Sequence, residues 1–160
     1  MALSPAHARL FLGFIAIALT AVEFTPLFRG QALYEITFLG IHVGATTAIA
    51  FLIIGFKARR KDDEAVPLID IVLALLALAC AVYLAFQGQR VSERIEGVDE
   101  VFFWDKVFGA LLILLLLEAC RRVAGTVLMV LAALFIAYVF LGPWLPGGLA
   151  HRGMSFMRFI

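Results

Sequence analysis

The stretch VFGALLILLLLEACRRVAGTVLMVLAALFIAYVFL, residues 107–141, decides the class of this protein. It is almost wholly apolar, and its exceptions sit together: Glu118, Arg121 and Arg122, followed by Gly125. A membrane-spanning helix needs about 20 mostly apolar residues to cross a hydrocarbon core of about 30 Å. As one helix this stretch would be about 35 residues long, well beyond a normal span. Two adjacent arginines are costly at mid-bilayer and belong at an interface. The stretch therefore reads as two spans, Val107–Val123 and Gly125–Leu141, joined as a helical hairpin by a very short turn. The alternative is a single long helix bent at Gly125.

Three more runs approach a span. Leu10–Phe28 is interrupted by Glu23 and Pro26, Leu33–Phe56 follows, and Val66–Phe86 carries Asp70 near its start. In lipid the backbone must satisfy itself within each segment, so these runs are expected to be helices. The alternation of a membrane β-barrel is absent. Composition agrees: 64% of residues are hydrophobic and 16% charged, with a mean hydropathy of +1.03. Soluble domains are about 45–50% apolar and about 25% charged. The expected fold is an all-α integral membrane protein, a single domain of four or five transmembrane helices. A net charge of +1 offers no pull on polyanions, which excludes nucleic acid as an expected partner. Cys80 and Cys120 lie in separate apolar runs, without CxxC or zinc spacing, and read as packing residues.

The first run has a competing reading. Arg9 before a short apolar stretch resembles a signal peptide. Small residues are poorly placed for cleavage near Ala21, however, and an amphipathic pattern continues through Glu23–Phe28. Retention as a helix is the expectation.

Short basic loops set the orientation. Lys57–Lys61, between the second and third runs, is the densest cationic patch and is expected in the cytoplasm, with the N-terminus and Arg121-Arg122 on the same side. The loop Gln87–Lys106 then falls outside, as does the segment 142–160. That loop is net acidic, with Glu93, Glu96, Asp99, Glu100 and Asp105 against Arg90, Arg94 and Lys106. Within it, Val91, Ile95, Val98 and Phe102 recur every three or four residues, the pattern of a short helix lying on the membrane surface over Val91–Phe103. Such a helix either docks a partner or rests on lipid. Phe102-Phe103-Trp104 and Trp144 fall where an aromatic belt is expected.

Ionisable groups inside the membrane are functional candidates by default. Glu118 lies one turn before Arg121 and Arg122, and residues at i,i+3 and i,i+4 meet on a helix. Asp70 has the same expected depth. These four form a candidate structural charge cluster rather than an ion pathway, which wants unpaired carboxylates nearer mid-membrane. Glu23 and His42 form a second candidate pair, sharing a hydrogen bond. A bis-histidine haem site is not expected, because His7 and His151 lie outside the runs. No catalytic, phosphate-binding or metal-ligand constellation appears, so neither enzyme activity nor a cofactor is expected. Gly40, Gly44 and Ala48 form a small-residue stripe on one face of the second run. It suits either contact with a partner or packing within the chain.

From about Asp70 to Ile160 the chain resembles a known family. The residues are Leu117-Glu118-Ala119-Cys120-Arg121-Arg122-Val123-Ala124-Gly125, then Phe135 and Tyr138, then Gly142-Pro143-Trp144-Leu145-Pro146-Gly147 and His151-Arg152-Gly153-Met154-Ser155. Their order is similar to the N-terminal part of the fused permeases of TRAP transporters, the tripartite ATP-independent periplasmic transporters served by TAXI-type binding proteins. There the pattern is L-E-A-x-R-R-x-x-G, then G-P-x-x-P, then H-R-G. The first sixty residues match in hydropathy alone.

The resemblance implies a small Q-type region that scaffolds a large M-type transport domain holding the substrate and ion sites. A soluble periplasmic protein would deliver substrate to the outer face. Fused members run on from the H-R-G region into the transport domain, whereas this sequence stops at Ile160. It is expected to be a separate small subunit or a piece of a fused permease, and either way transport lies outside it. Two rival readings remain. One is the small subunit of a tripartite tricarboxylate-type transporter, disfavoured by the motifs around Glu118 and His151. The other is a b-type cytochrome or thiol-oxidase subunit, which lacks the paired histidines or cysteines it needs.

Overall fold

The computed structural model describes residues 13–17, 20–21, 35–55, 66–95 and 99–154. Of these, 84% are helical and none lies in a strand, so the described residues are all-α. The helices are α1 (Glu35–Ile53), α2 (Leu68–Glu93), α3 (Phe103–Ala124) and α4 (Thr126–Leu141), with two 3₁₀ turns, Gly142–Trp144 and Gly147–Leu149, after them. Two stretches, Leu68–Glu93 and Thr126–Trp144, are long and apolar enough to cross a membrane. Of the first apolar run, residues 13–17 and 20–21 are helical. Glu23, Pro26 and the basic loop Lys57–Lys61 lie outside the described residues. The chain divides into two compact units between Arg94 and Ile95.

In the first unit α1 and α2 pack antiparallel, because small residues on both helices let the backbones approach. Gly40, Gly44, Thr47, Ala48 and Phe51 are buried along one face of α1, and Ala74, Ala77, Cys80, Ala81 and Gly88 are buried on α2. A side chain at Gly40 would strike Leu84, one at Gly44 would strike Ala77 and Ala81, and one at Gly88 would strike Thr37. Without water between helices as a driving force, such close packing is what holds helices together in lipid. Pro67 opens α2 in an extended conformation, and its carbonyl accepts the N–H groups of Asp70 and Ile71 at 3.0 and 3.3 Å. Proline suits a helix start, where its missing N–H would have no partner in the helix.

The amphipathic spacing over Val91–Phe103 does not give a separate surface helix. Instead α2 runs on past Phe86, so Val91–Glu93 are its last residues. Gln87, Gln89 and Arg90 are good helix formers. Gly88, the natural place to stop, is held helical against Thr37 of α1. Hydrogen bonds from Gln89 to Glu93 at 3.2 Å and from Arg90 to Gln87 at 3.0 Å brace the extension. Arg94 then turns extended. Asp99 closes a loop in the second unit: its carboxylate accepts the Ile95 N–H at 2.8 Å, and its own N–H donates to the Ile95 carbonyl at 3.1 Å. Val101 and Phe102 are not helical, and residues 96–98 lie outside the described set.

In the second unit, α3 begins after Phe102, whose N–H donates to the buried Asp105 carboxylate at 3.1 Å. Phenylalanine has no side-chain acceptor, so only this half of a capping box is made. A carboxylate in the first turn also suits the positive end of the helix dipole.

The long apolar stretch is two helices, not one. Gly125 separates them with φ 95° and ψ 167°, a conformation essentially confined to glycine. Its N–H donates to the Arg121 carbonyl, ending α3, and its carbonyl accepts from Met129, starting α4. A side chain at this position would meet no atom within 4 Å. Gly125→Ala is therefore a test of backbone conformation alone. It is expected to destabilise the second unit by about 1–3 kcal/mol, read as a lower unfolding midpoint in micelles. An unchanged midpoint would mean the break does not need glycine.

Candidate functional site

Glu118 sits one turn before Arg121 and Arg122 near the end of α3, and the two consecutive arginines reach back to it. Arg121 grips it in a bidentate fork, Nε to Oε2 and Nη2 to Oε1, both at 2.8 Å. Arg122 adds a bond from Nε to Oε1 at 2.7 Å. The spacing i,i+3 and i,i+4 makes this geometry available on any helix. Cations also suit the negative end of the helix dipole, which is where these two lie. The Arg122 side chain is 2% exposed, against 22% for Arg121 and 27% for Glu118. A carboxylate held by three charge-assisted bonds is a clamp between successive turns of the helix. Asp70, the fourth member expected, belongs to the first unit, where it is buried in the opening turn of α2.

The exit from α4 gathers a second group. The His151 ring stacks on Tyr138, with centroids 4.5 Å apart and planes at 29°. Gly142 lies under the imidazole so closely that a side chain there would overlap it. The His151 N–H donates to the Gly142 carbonyl at 3.2 Å, and the Met154 N–H donates to the Val139 carbonyl at 3.0 Å. The Tyr138 hydroxyl donates to the Leu149 carbonyl at 3.2 Å. Gly153 has φ 69°, and a side chain on it would lie 2.5 Å from Pro143 Cδ. Residues 142–154 thus fold back over the end of α4 and supply donors to carbonyls that a helix terminus leaves without helical partners. Gly142, Pro143, His151 and Gly153 meet here. Pro146 precedes the second 3₁₀ turn, and Arg152 is exposed beside His151.

The chain matches no known family model, no curated protein and no solved structure.

The other candidates are placed as follows. Gly40, Gly44 and Ala48 lie on the face of α1 that packs on α2. The carbonyl of His42 accepts from the Thr46 hydroxyl at 2.7 Å; its proposed partner Glu23 lies outside the described residues. Cys80 is buried, Cys120 half-buried, and neither is in a disulfide. Among the described residues no three metal-ligating side chains come together. The Tyr138–His151 stack is recorded by no periodicity in the sequence. The Gly88–Thr37 approach leaves no local signal, whereas Asp105 as an N-terminal cap was legible from an acid three residues into α3.

Proposed function

We propose that this chain is a non-catalytic scaffold, a small Q-type subunit or region of a TRAP-type secondary transporter in a bacterial inner membrane. It crosses the membrane several times, with its N-terminus cytoplasmic and the segment after Leu141 periplasmic. Its partners are the bilayer, a large M-type domain that carries the solute and ion sites, and a TAXI-type periplasmic protein that delivers the solute. Uptake is driven by an ion gradient through the large domain.

The observation that carries this reading is the role of the residues on which the family resemblance rests. Arg121, Arg122 and Gly125 end one apolar helix and start the next. Gly142, Pro143, His151 and Gly153 shape the exit from the second. These are architectural tasks, as a scaffold requires. In length, though not in the unbroken apolarity of Leu68–Glu93 and Thr126–Trp144, α3 suits a membrane span. From Trp104 to Arg121 the helix rises about 26 Å at about 1.5 Å per residue, close to a hydrocarbon core of about 30 Å. An aromatic cluster marks the first end: Phe103 meets Trp104 edge to face at 5.6 Å, and Trp104 lies 6.0 Å from Phe108. The clamped guanidinium pair marks the other.

Orientation is tested by cysteine labelling from outside the cell. A cysteine placed near Glu96 is expected to be labelled and one near Arg60 spared; the reverse pattern ends this topology. Function is tested by solute uptake into liposomes. The chain alone is expected to give none, and uptake by it would refute the scaffold reading.

A further inference from the structure

We propose that Gly125 is a hinge, at which α4 turns relative to α3 and carries residues 142–154 with it as one body. The inference does not depend on the transporter reading. Three observations, all within the second unit, point to it. First, the link is a single residue: α3 ends at Ala124 and α4 starts at Thr126. Hinges are a few element-terminal residues that absorb large φ/ψ changes, and glycine, without a Cβ, has the widest choice of them. Nothing lies within 4 Å of the place a Cβ would take, so no neighbour crowds the turn on that side. Second, packing does not lock α4. None of its residues is buried, whereas α3 buries Leu115 and Ala119, and α2 buries Ala74, Ala77, Cys80 and Ala81. Met129, Ala132, Ala133, Ile136 and Ala137 lie half-buried along one side of α4. Three of the five are alanines, whose short side chains slide past a neighbour rather than interlock with it. Few buried contacts mark the parts of a protein that move most easily.

Third, each side of Gly125 is braced within itself. The Glu118 clamp joins successive turns of α3. Residues 142–154 are tied to the end of α4 by the bonds from His151 to Gly142 and from Met154 to Val139. The Tyr138 hydroxyl reaches Leu149, and the Tyr138 ring stacks on His151. The fold-back therefore travels with α4. Thr126 and Tyr138 are the only polar side chains of α4, and Tyr138 is committed to the fold-back. With 16 residues, α4 is about 24 Å long. A change of about 20° at the kink would carry its far end through about 8 Å. One apolar helix can thus change its tilt while the other keeps its place.

The test is a pair of spin-label distance distributions, measured by electron–electron double resonance on the full chain in lipid nanodiscs, with Cys80 and Cys120 replaced by alanine. Labels at Leu114 on α3 and at Leu149 span the hinge. Labels at Leu128 on α4 and at Leu149 lie within the moving body. All three side chains are exposed. The distribution across the hinge is expected to be broader than the one within the body, by up to about 8 Å. It is expected to narrow in Gly125→Ala, whose Cβ excludes most of the conformations open to glycine. Equal widths for the two pairs overturn the hinge, whether or not the variant folds. So does a width across the hinge that stays unchanged in a folded Gly125→Ala chain.

Discussion

Replacing Gly44 by leucine is expected to break the α1–α2 pair. A side-chain carbon at this position would lie 2.6 Å from the Cβ of Ala81 and 2.8 Å from the carbonyl oxygen of Ala77. The second contact is backbone, which cannot step aside as a flexible side chain can. Over-packing a tight core costs about 1–3 kcal/mol. Here the helices must separate, which also disturbs the approach of Gly40 to Leu84. A loss of at least about 3 kcal/mol is expected, read as a fall in folded yield and in the unfolding midpoint in micelles. Gly44→Ala should be milder, because only one carbon must be placed. If Gly44→Leu folds as well as the parent, the close approach is not what holds the pair. The same geometry alters how the variant would be read in a transport assay: lost activity would report a misfolded first unit before it reported a lost contact with a partner.

Glu118→Ala is expected to be nearly as damaging, in the second unit. The substitution removes three short bonds to Arg121 and Arg122 at once. Arg122 is almost wholly buried, so its guanidinium would lose an acceptor that water cannot replace. Breaking a buried ion pair from one side costs about 3–5 kcal/mol. Glu118 is 27% exposed, which puts the expected loss at the lower end, about 3 kcal/mol. Glu118→Gln keeps the shape but loses the charge and should fall between the two. Thermal unfolding of all three chains checks the order. Normal folding of Glu118→Ala, combined with loss of ion coupling in a complex with the proposed large domain, would instead make Glu118 part of an ion pathway.

Much of the architecture was legible because local rules decide it. The helical class follows from apolar runs whose backbones must satisfy themselves. The Glu118 clamp follows from three- and four-residue spacing, and the break at Gly125 from a glycine placed directly after a charged helix end. The surface helix expected over Val91–Phe103 shows where local rules fail. Its spacing of apolar residues was real, but Gly88 is fixed by Thr37, some fifty positions earlier, and that contact lets α2 run on. The stripe of Gly40, Gly44 and Ala48 was legible as a packing surface, yet its spacing alone did not say against what. The fold-back after α4 was present only as a motif string. Its geometry depends on Tyr138 and His151 meeting across a turn, and no periodicity records such a contact.

The central claim is that this chain supports transport without performing it. The most direct measurement is solute uptake in liposomes holding this chain alone, the large M-type domain alone, or both, each with a TAXI-type binding protein and an imposed ion gradient. Uptake is predicted only when the two membrane components are present together. Gradient-driven uptake by the 160-residue chain without the large domain would contradict the claim.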